Sequence, residues 1–189
     1  MTIYCYDTEF LEDGNTIELI SIGIVSEDGR EYYAVNSDMD DDRIRRNDWL
    51  CDNVVRHLPL VNGVSTPVTG GDKWYWQLDK SSIVVKPKWV IANEVREFLA
   101  AGGDDPELWA YYGAYDHVAL AQLWGPMINL PKGVPMFTHE LMQEMNRAGM
   151  TASNWPPAFN EHNALQDARW NMMVLMELRH DALTQRLGQ

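Results

Sequence analysis

The chain has 189 residues, 46% apolar and 23% charged, a composition that predicts one compact domain and excludes intrinsic disorder. No apolar stretch approaches the ~18 residues of a membrane-spanning helix, and Cys5 and Cys51 are too few for a disulfide framework, so we predict a cytoplasmic protein. The net charge of −13 disfavours a nucleic-acid partner bound through a basic surface, unless some carboxylates bind divalent cations that reverse the local charge.

Three apolar and aromatic runs open the chain and predict an antiparallel meander. They span residues 3–10, 17–25 and 31–35, and Asp28-Gly29 between the last two runs is a strong hairpin signal. The acidic residues of the first run begin at position 7, which is not the pattern of a secretory signal peptide. A short helix is then predicted over residues 48–57.

Residues 59–87 sustain neither a helical nor a long strand period. They hold prolines, glycines and the cluster Trp74-Tyr75-Trp76. Because this segment is too short for a core of its own, we predict an irregular excursion from a single domain that spans residues 1–189. The aromatic cluster could stack single-stranded bases, but packing against its own domain or a second subunit is the favoured interpretation.

The second half of the chain alternates between helical and strand patterns. Strands are predicted over residues 108–112 and 134–138, and helices over residues 89–101, 115–124, 140–148 and 164–185. A meander followed by strand–helix alternation predicts an α/β fold, with a mixed sheet flanked by helices.

Asp7 and Glu9 are two residues apart in the first predicted strand, so both carboxylates leave the same face, roughly 6.5–7 Å apart. That face begins with Ile3 and Cys5, and two carboxylates on a core face are costly to bury unless they are paired or bind a cation. The alternative is that the strand has ended and both acids are solvated.

Asp116 follows the strand predicted over residues 108–112 and lies near a helix start, where sites of α/β sheets tend to form. An aspartate in the first turn of a helix is also favoured by the helix dipole alone. Both interpretations remain open from the sequence.

Asn163 and Gln166 have the spacing of a capping box, which predicts a helix that begins between them. His162 would then lie in the loop before the helix and Asp167 one turn inside it, so both side chains could face the same cavity. The alternative is a capped helix with a surface histidine.

Taken together, these motifs resemble those of DEDDh-type 3′→5′ exonucleases of the ribonuclease H-like superfamily. Asp7-Thr8-Glu9 matches the first motif, Tyr115-Asp116 the second, and His162 with Asp167 the third. The segments around the motifs are similar to the small actinobacterial exoribonucleases described as polyadenylate-specific. Gly113-Ala114 depart from the pattern, because many members carry an asparagine in that stretch.

The resemblance implies a ribonuclease H-like mixed sheet and hydrolysis of single-stranded RNA from its 3′ end to nucleoside 5′-monophosphates, with two Mg²⁺ or Mn²⁺ ions. It implies that Asp7 bridges both ions, that Glu9 and Asp167 complete the site of the nucleophile-side ion, and that Asp116 holds the other ion. His162 would act as the general base, since histidine titrates near neutral pH. It also implies a homodimer and no membrane partner.

Weaker signals predict contacts with the substrate. Thr8, Phe10 and Leu11 lie in or directly after the first motif and would contact the terminal nucleotide, although cores often claim such apolar residues. The basic run of Arg43, Arg45 and Arg46 could bind phosphates upstream of the scissile bond, with surface ion pairing as an equal alternative.

Alternative functions remain open at this point. The catalytic residues do not distinguish ribose from deoxyribose, so a 3′→5′ DNA or small-oligonucleotide exonuclease is an alternative. A catalytically idle nucleic-acid-binding module on the same fold is another. The remaining histidines are interpreted as structural: His57, His117, His139 and His180.

Overall fold

The computed structural model describes residues 1–71, 73–103 and 105–187. Residue 72 of the predicted excursion, and residues 104, 188 and 189 of the predicted domain, lie outside the described residues. The strands are β1 (Thr2–Glu12), β2 (Ile17–Ser26), β3 (Glu31–Asn36), β4 (Leu60–Pro67), β5 (Trp74–Leu78), β6 (Val85–Lys86), β7 (Pro106–Ala110) and β8 (His139–Glu140). The α-helices are α1 (Asp41–Ile44), α2 (Asp48–Asn53), α3 (Lys88–Ala100), α4 (Ala114–Ala121), α5 (Leu141–Arg147) and α6 (Ala164–Leu187).

The main sheet has six strands in the order β6-β3-β2-β1-β7-β8. β1, β2 and β3 pair antiparallel, as the predicted meander requires. β7 and β8 extend the sheet in parallel, each reached through helical segments. The α/β architecture predicted from the sequence, a mixed sheet flanked by helices, is confirmed.

Both faces of β1 are buried, because helices cover the sheet on two sides. Tyr4 and Tyr6 pack into a cluster with residues of α3 and α4. Ile3 and Cys5 point the other way, into a cluster with residues of α5 and α6. The alternation of side chains along β1 therefore divides the core into two layers and directs the following odd-numbered residues towards α6.

The predicted irregular structure of residues 59–87 is wrong for β4 and β5, which pair as an antiparallel two-stranded sheet. The pairing escaped prediction because most side chains of β4 are exposed, so the segment has no apolar period to reveal it. Within the aromatic cluster, Trp76 packs on its own domain, since it is only 1% exposed and lies in the core cluster formed with β3 and α2, whereas Tyr75 is 59% exposed.

The strand predicted over residues 134–138 is also wrong. The strand at this edge of the sheet is the two-residue β8, and Val134 instead packs into the core from a turn. β7 ends at Ala110, two residues before its predicted end, because Tyr112 takes a left-handed backbone conformation with φ of 54°. Helices α3, α5 and α6 agree with their predicted positions to within a few residues.

The two cysteines are free and buried in different core clusters, Cys5 beneath α6 and Cys51 beneath the β4–β5 sheet. This agrees with the prediction that they form no disulfide framework. In the part of the chain that the structure describes, no helix combines the length and the apolar character needed to cross a bilayer.

Candidate active site

An open cavity of about 620 Å³ lies at the carboxyl ends of β1 and β7. The five residues predicted to be catalytic all line it: Asp7, Glu9, Asp116, His162 and Asp167. They come from β1, from the first turn of α4, and from the loop and first turn at the start of α6. The carboxyl ends of neighbouring parallel strands are where α/β sheets commonly hold their ligands.

Three of the carboxylates form a compact group. Asp7, Glu9 and Asp167 each offer one oxygen, and these oxygens all lie within 4.8 Å of one another. Asp7 and Glu9 project from one face of β1, as their spacing predicts, and Asp167 faces them from α6. Glu9 is buried, whereas the other two are half-buried.

The electrostatics of this group favour a bound cation. Burial raises the pKa of Asp7 well above its usual range, and three neighbouring carboxylates raise it further. Burial also raises the pKa of Glu9 to about 8, with repulsion from Asp167 and Asp116 adding to the shift. Clustered carboxylate oxygens are the hard ligands that Mg²⁺ and Mn²⁺ prefer. The donor set therefore fits a divalent cation.

The start of α6 brings Asp167 and His162 to the same cavity. Asn163 accepts a hydrogen bond of 3.2 Å from the Gln166 backbone N–H, so this half of the predicted capping box is present. His162 lies in the loop before the helix, as predicted, with a left-handed φ of 66°. Its backbone N–H donates to Oδ2 of Asp167 over 2.9 Å. Burial raises the pKa of Asp167 to about 6, although this hydrogen bond opposes the shift.

Gly23 allows α6 to approach the sheet closely. Gly23 pairs with Asp7 across β1 and β2. A Cβ at Gly23 would lie 2.4 Å from the backbone carbonyl of Ala164, the first residue of α6. A side chain here would push the first turn of α6 away from Asp7. The sequence carries a signal for this role, since a glycine inside an apolar strand often marks close backbone approach.

The open edge of β1 explains how Asp116 is oriented. The pairing of β1 with β7 ends at Cys5 and Trp109, which leaves later backbone groups of β1 without a strand partner on that side. The Thr8 backbone N–H and hydroxyl donate to Oδ1 of Asp116 over 2.8 and 2.7 Å. Buried backbone groups need such partners. Burial raises the pKa of Asp116 to about 6, against the lowering effect of these hydrogen bonds.

Asn171 forms a hydrogen bond with another backbone group on the open edge of β1. The sequence analysis did not identify this residue. Its Nδ2 donates to the Tyr6 carbonyl over 3.2 Å, and its side chain is 2% exposed at the cavity. Asn171 lies four residues after Asp167 on α6, so both share one helix face. That spacing from a recognised motif is the signal that could have identified it.

Glu140 holds the turn that leads into α4. Its two carboxylate oxygens accept hydrogen bonds from the backbone N–H groups of Tyr112 and Gly113, over 2.8 and 2.9 Å. Tyr112 has the strained left-handed conformation, and its ring lines the cavity. No local pattern pointed to Glu140, because its partners lie 27 and 28 residues away in the sequence.

Trp49 forms part of the cavity wall beside His162. The two rings meet edge to face, with their centroids 4.9 Å apart, and the Trp49 side chain is 54% exposed. Trp49 belongs to α2, which was predicted as a helix without a functional role. Phe10 lines the same cavity and contacts Tyr115 edge to face.

Only some of the predicted substrate-binding residues line the cavity. Thr8 and Phe10 line the cavity. Leu11 is instead 5% exposed in the core cluster beneath the β4–β5 sheet. The Arg45 guanidinium lies over the Trp76 ring and donates to the Trp76 carbonyl. Arg46 is exposed and is not among the residues that line the cavity.

These placements correct the prediction for Leu11 and Arg45. Leu11 lies on the same face of β1 as Asp7 and Glu9, and at this end of the strand that face is covered by the core cluster that also holds Val35 and Trp76. Arg45 forms ion pairs with Asp41 and Asp42, as the ion-pairing alternative predicts.

Comparisons with known proteins give one family. Residues 2–178 match the model of the 3'-5' exoribonuclease Rv2179c-like domain. The chain is 45% identical over 168 residues to the 3'-5' exoribonuclease Rv2179c of Mycobacterium tuberculosis strain H37Rv, covering 88% of this chain and 86% of the relative. The 3'-5' exoribonuclease MT2234.1 of strain CDC 1551 gives the same figures, 45% over 168 residues. The Mg²⁺- and Mn²⁺-bound structure of S. pombe Pop2p superposes with a TM-score of 0.47 at 13% identity, covering 94% of this chain and 82% of that one.

Proposed function

Because the chain belongs to the Rv2179c-like 3′-5′ exoribonuclease family, we propose that it hydrolyses single-stranded RNA from its 3′ end and releases nucleoside 5′-monophosphates. The observation that carries the proposal is the meeting of three carboxylates, with ligand oxygens within 4.8 Å of one another, beside Asp116 and His162 in one cavity. The exonuclease domain is proposed to span residues 1–189.

Two Mg²⁺ or Mn²⁺ ions are the proposed cofactors. Asp7, Glu9 and Asp167 would hold one ion, and Asp7 would share the second with Asp116. Oδ1 of Asp116 accepts both hydrogen bonds from Thr8, which leaves Oδ2 for a cation. When bound, two divalent cations supply the positive charge that activates water and stabilises the departing alkoxide of an in-line displacement.

His162 is the proposed general base, which accepts the proton of the attacking water. Its ring lines the same cavity as the carboxylate group, and Trp49 contacts the ring from one side. The backbone hydrogen bond to Asp167 holds the loop that carries His162 next to the carboxylates. A base in a loop can be adjusted to a bound substrate while it stays within reach of the reacting water.

The walls of the cavity support a single-stranded substrate. Phe10, Trp49, Tyr112 and Trp155 line it, and Trp49 and Tyr112 are exposed. Aromatic side chains bind the flat faces of unstacked bases, and those faces are covered in a duplex. A 3′-terminal nucleotide could therefore stack in the cavity while its phosphate reaches the carboxylates.

The proposal is tested with matched RNA and DNA oligonucleotides labelled at the 5′ end, incubated with the protein and Mn²⁺. We expect a ladder of RNA products shortened from the 3′ end, loss of that ladder with EDTA, and slower shortening of DNA. The Asp7→Asn variant is the control for a contaminating nuclease. Faster shortening of DNA would favour the deoxyribonuclease alternative, and bound but intact RNA would favour a binding module.

A homodimer and a cytoplasmic location remain part of the proposal. Sedimentation at working concentration tests the first of these directly. A single boundary at the mass of the monomer would remove the homodimer.

A further inference from the structure

A second open groove, of about 390 Å³, lies next to the active-site cavity. Pro157, Ala158, Glu161 and His162 line both hollows, so the groove and the cavity adjoin along these residues. His162 therefore lies at the junction between them. A nucleic-acid strand with its 3′ end in the cavity could leave the site past His162 through this groove.

The distribution of charge distinguishes the groove from the cavity. Among the described residues that line the cavity there is no lysine or arginine, and there are five carboxylates: Asp7, Glu9, Asp116, Glu161 and Asp167. The described lining of the groove adds one basic residue, Arg56. In a chain with a net charge of −13, a phosphate next to the scissile one needs a cationic partner to offset repulsion by Glu161.

Arg56 is oriented by its neighbour His57. The Arg56 Nε–H donates to Nε2 of His57 over 3.2 Å. His57 accepts this bond in its neutral form, and burial, followed by the charges of Arg56 and His162, lowers its pKa. The hydrogen bonds and ion pairs of the described residues do not use the terminal N–H groups of Arg56. Those groups can donate to a phosphate in the groove, in the geometry that suits arginine.

We propose that this groove is the subsite for the nucleotide on the 5′ side of the scissile bond, and that Arg56 binds one upstream phosphate of the RNA strand. The inference rests on the proposed function and extends it, because it gives the direction in which the strand leaves the site. Arg56, which lines the groove, would then bind the upstream phosphate that the sequence had assigned to Arg45 and Arg46.

The test pairs one residue with one phosphate. RNA oligonucleotides carry a label on the 3′-terminal nucleotide and a single uncharged methylphosphonate at one of the first three linkages upstream of the scissile bond. Release of the terminal nucleotide by excess protein gives a single-turnover rate constant at each protein concentration, and its initial slope against protein concentration is the apparent second-order rate constant. Wild type, Arg56→Gln, Arg56→Lys and the control Arg96→Gln are compared, with Arg96 exposed on α3 and outside both hollows.

In the wild type and in Arg96→Gln, we expect a methylphosphonate at one of the three linkages to lower the rate constant about tenfold, the size of one lost hydrogen bond to a charged group. In Arg56→Gln, the unmodified RNA should be slower by a similar factor, and the methylphosphonate at that linkage should have no further effect. Arg56→Lys keeps the positive charge, so the methylphosphonate at that linkage should again lower the rate constant, although by less than in the wild type.

An equal penalty at that linkage in the wild type and in Arg56→Gln overturns the inference, as does no penalty at any linkage in the wild type. Thermal unfolding of both glutamine variants checks that the fold is kept, and Arg56→Lys provides the comparison if Arg56→Gln unfolds. If the wild type releases no nucleotide from unmodified RNA, the proposed function itself fails. RNA shortening by the wild type together with an unchanged penalty in Arg56→Gln removes only the role of Arg56.

Discussion

The backbone N–H of His162 donates a hydrogen bond of 2.9 Å to Oδ2 of Asp167. His162 has a φ of 66°, a left-handed conformation that costs a non-glycine residue roughly 1–3 kcal/mol. One carboxylate thus stabilises the strained loop of the proposed general base and also faces the proposed cation site. Loss of the Asp167 side chain should therefore disturb both parts of the proposed mechanism.

Asp7→Asn is expected to abolish RNA cleavage and to weaken Mn²⁺ binding, because Asp7 is proposed to bridge both ions. The same change should stabilise the cation-free protein by about 1 kcal/mol, since an amide avoids the cost of either ionising or protonating a carboxyl that is buried among other carboxylates. Mn²⁺ titration calorimetry and thermal unfolding in EDTA measure the two effects. Cleavage near the wild-type rate would refute the role of Asp7.

His162→Ala is expected to slow turnover by roughly 10²–10⁴-fold, the typical contribution of a general base. Mn²⁺ affinity should stay close to that of the wild type, because the ring of His162 is not among the proposed ligands. Single-turnover cleavage and calorimetry on the same preparation separate the two effects. An unchanged rate would reduce His162 to a residue that only precedes the helix.

The cation-free protein should lose stability as the pH rises from about 4.5 to about 8, the range between the ordinary pKa of Glu9 and its raised value in the fold. A carboxyl with a raised pKa binds its proton more tightly in the folded state, so raising the pH favours the unfolded state. Thermal unfolding in EDTA across this range should show the loss, and saturating Mn²⁺ should reduce it. A Glu9→Gln variant with the same pH profile as the wild type would contradict the assignment.

Gly23→Ala is expected to lower the free energy of unfolding by about 1–3 kcal/mol, because the added methyl group overlaps the backbone of Ala164. The first turn of α6 would move away from β2, so Mn²⁺ affinity and cleavage should also fall. Gly71→Ala is the matched control, since its added methyl group would lie 3.4 Å from a side-chain atom of Val68. Equal Mn²⁺ affinity in both variants would show that Gly23 does not position Asp167.

Residues with roles that depend on short-range spacing were predicted well from the sequence. Asp7 and Glu9 share a face because side chains alternate along a strand. The Asn163–Gln166 spacing placed His162 before α6 and Asp167 inside it, because a helix cap is a local arrangement. The mixed sheet was also predicted from local features, namely turn signals and apolar runs with a short period.

The roles of other residues could not be predicted because they depend on partners distant in the sequence. The sequence made Arg45 a candidate phosphate ligand. In the structure its guanidinium lies over the ring of Trp76, a contact that depends on the pairing of β4 with β5. Trp49 and Glu140 acquire their contacts with the site only through the packing of α2 and β8.

The sequence by itself determined which carboxylates are candidate cation ligands, which histidine is the candidate base, and on which kind of element each one lies, because those properties follow from neighbours a few residues away. Only the tertiary structure decided that β1 continues beyond the end of its pairing with β7. The backbone groups of β1 that this leaves unpaired form hydrogen bonds with the side chains of Asp116 and Asn171 instead. Only the tertiary structure brought Arg56 to a groove that adjoins the cavity. The physical reason is that the position at which two distant strands stop pairing depends on the packing of the whole chain.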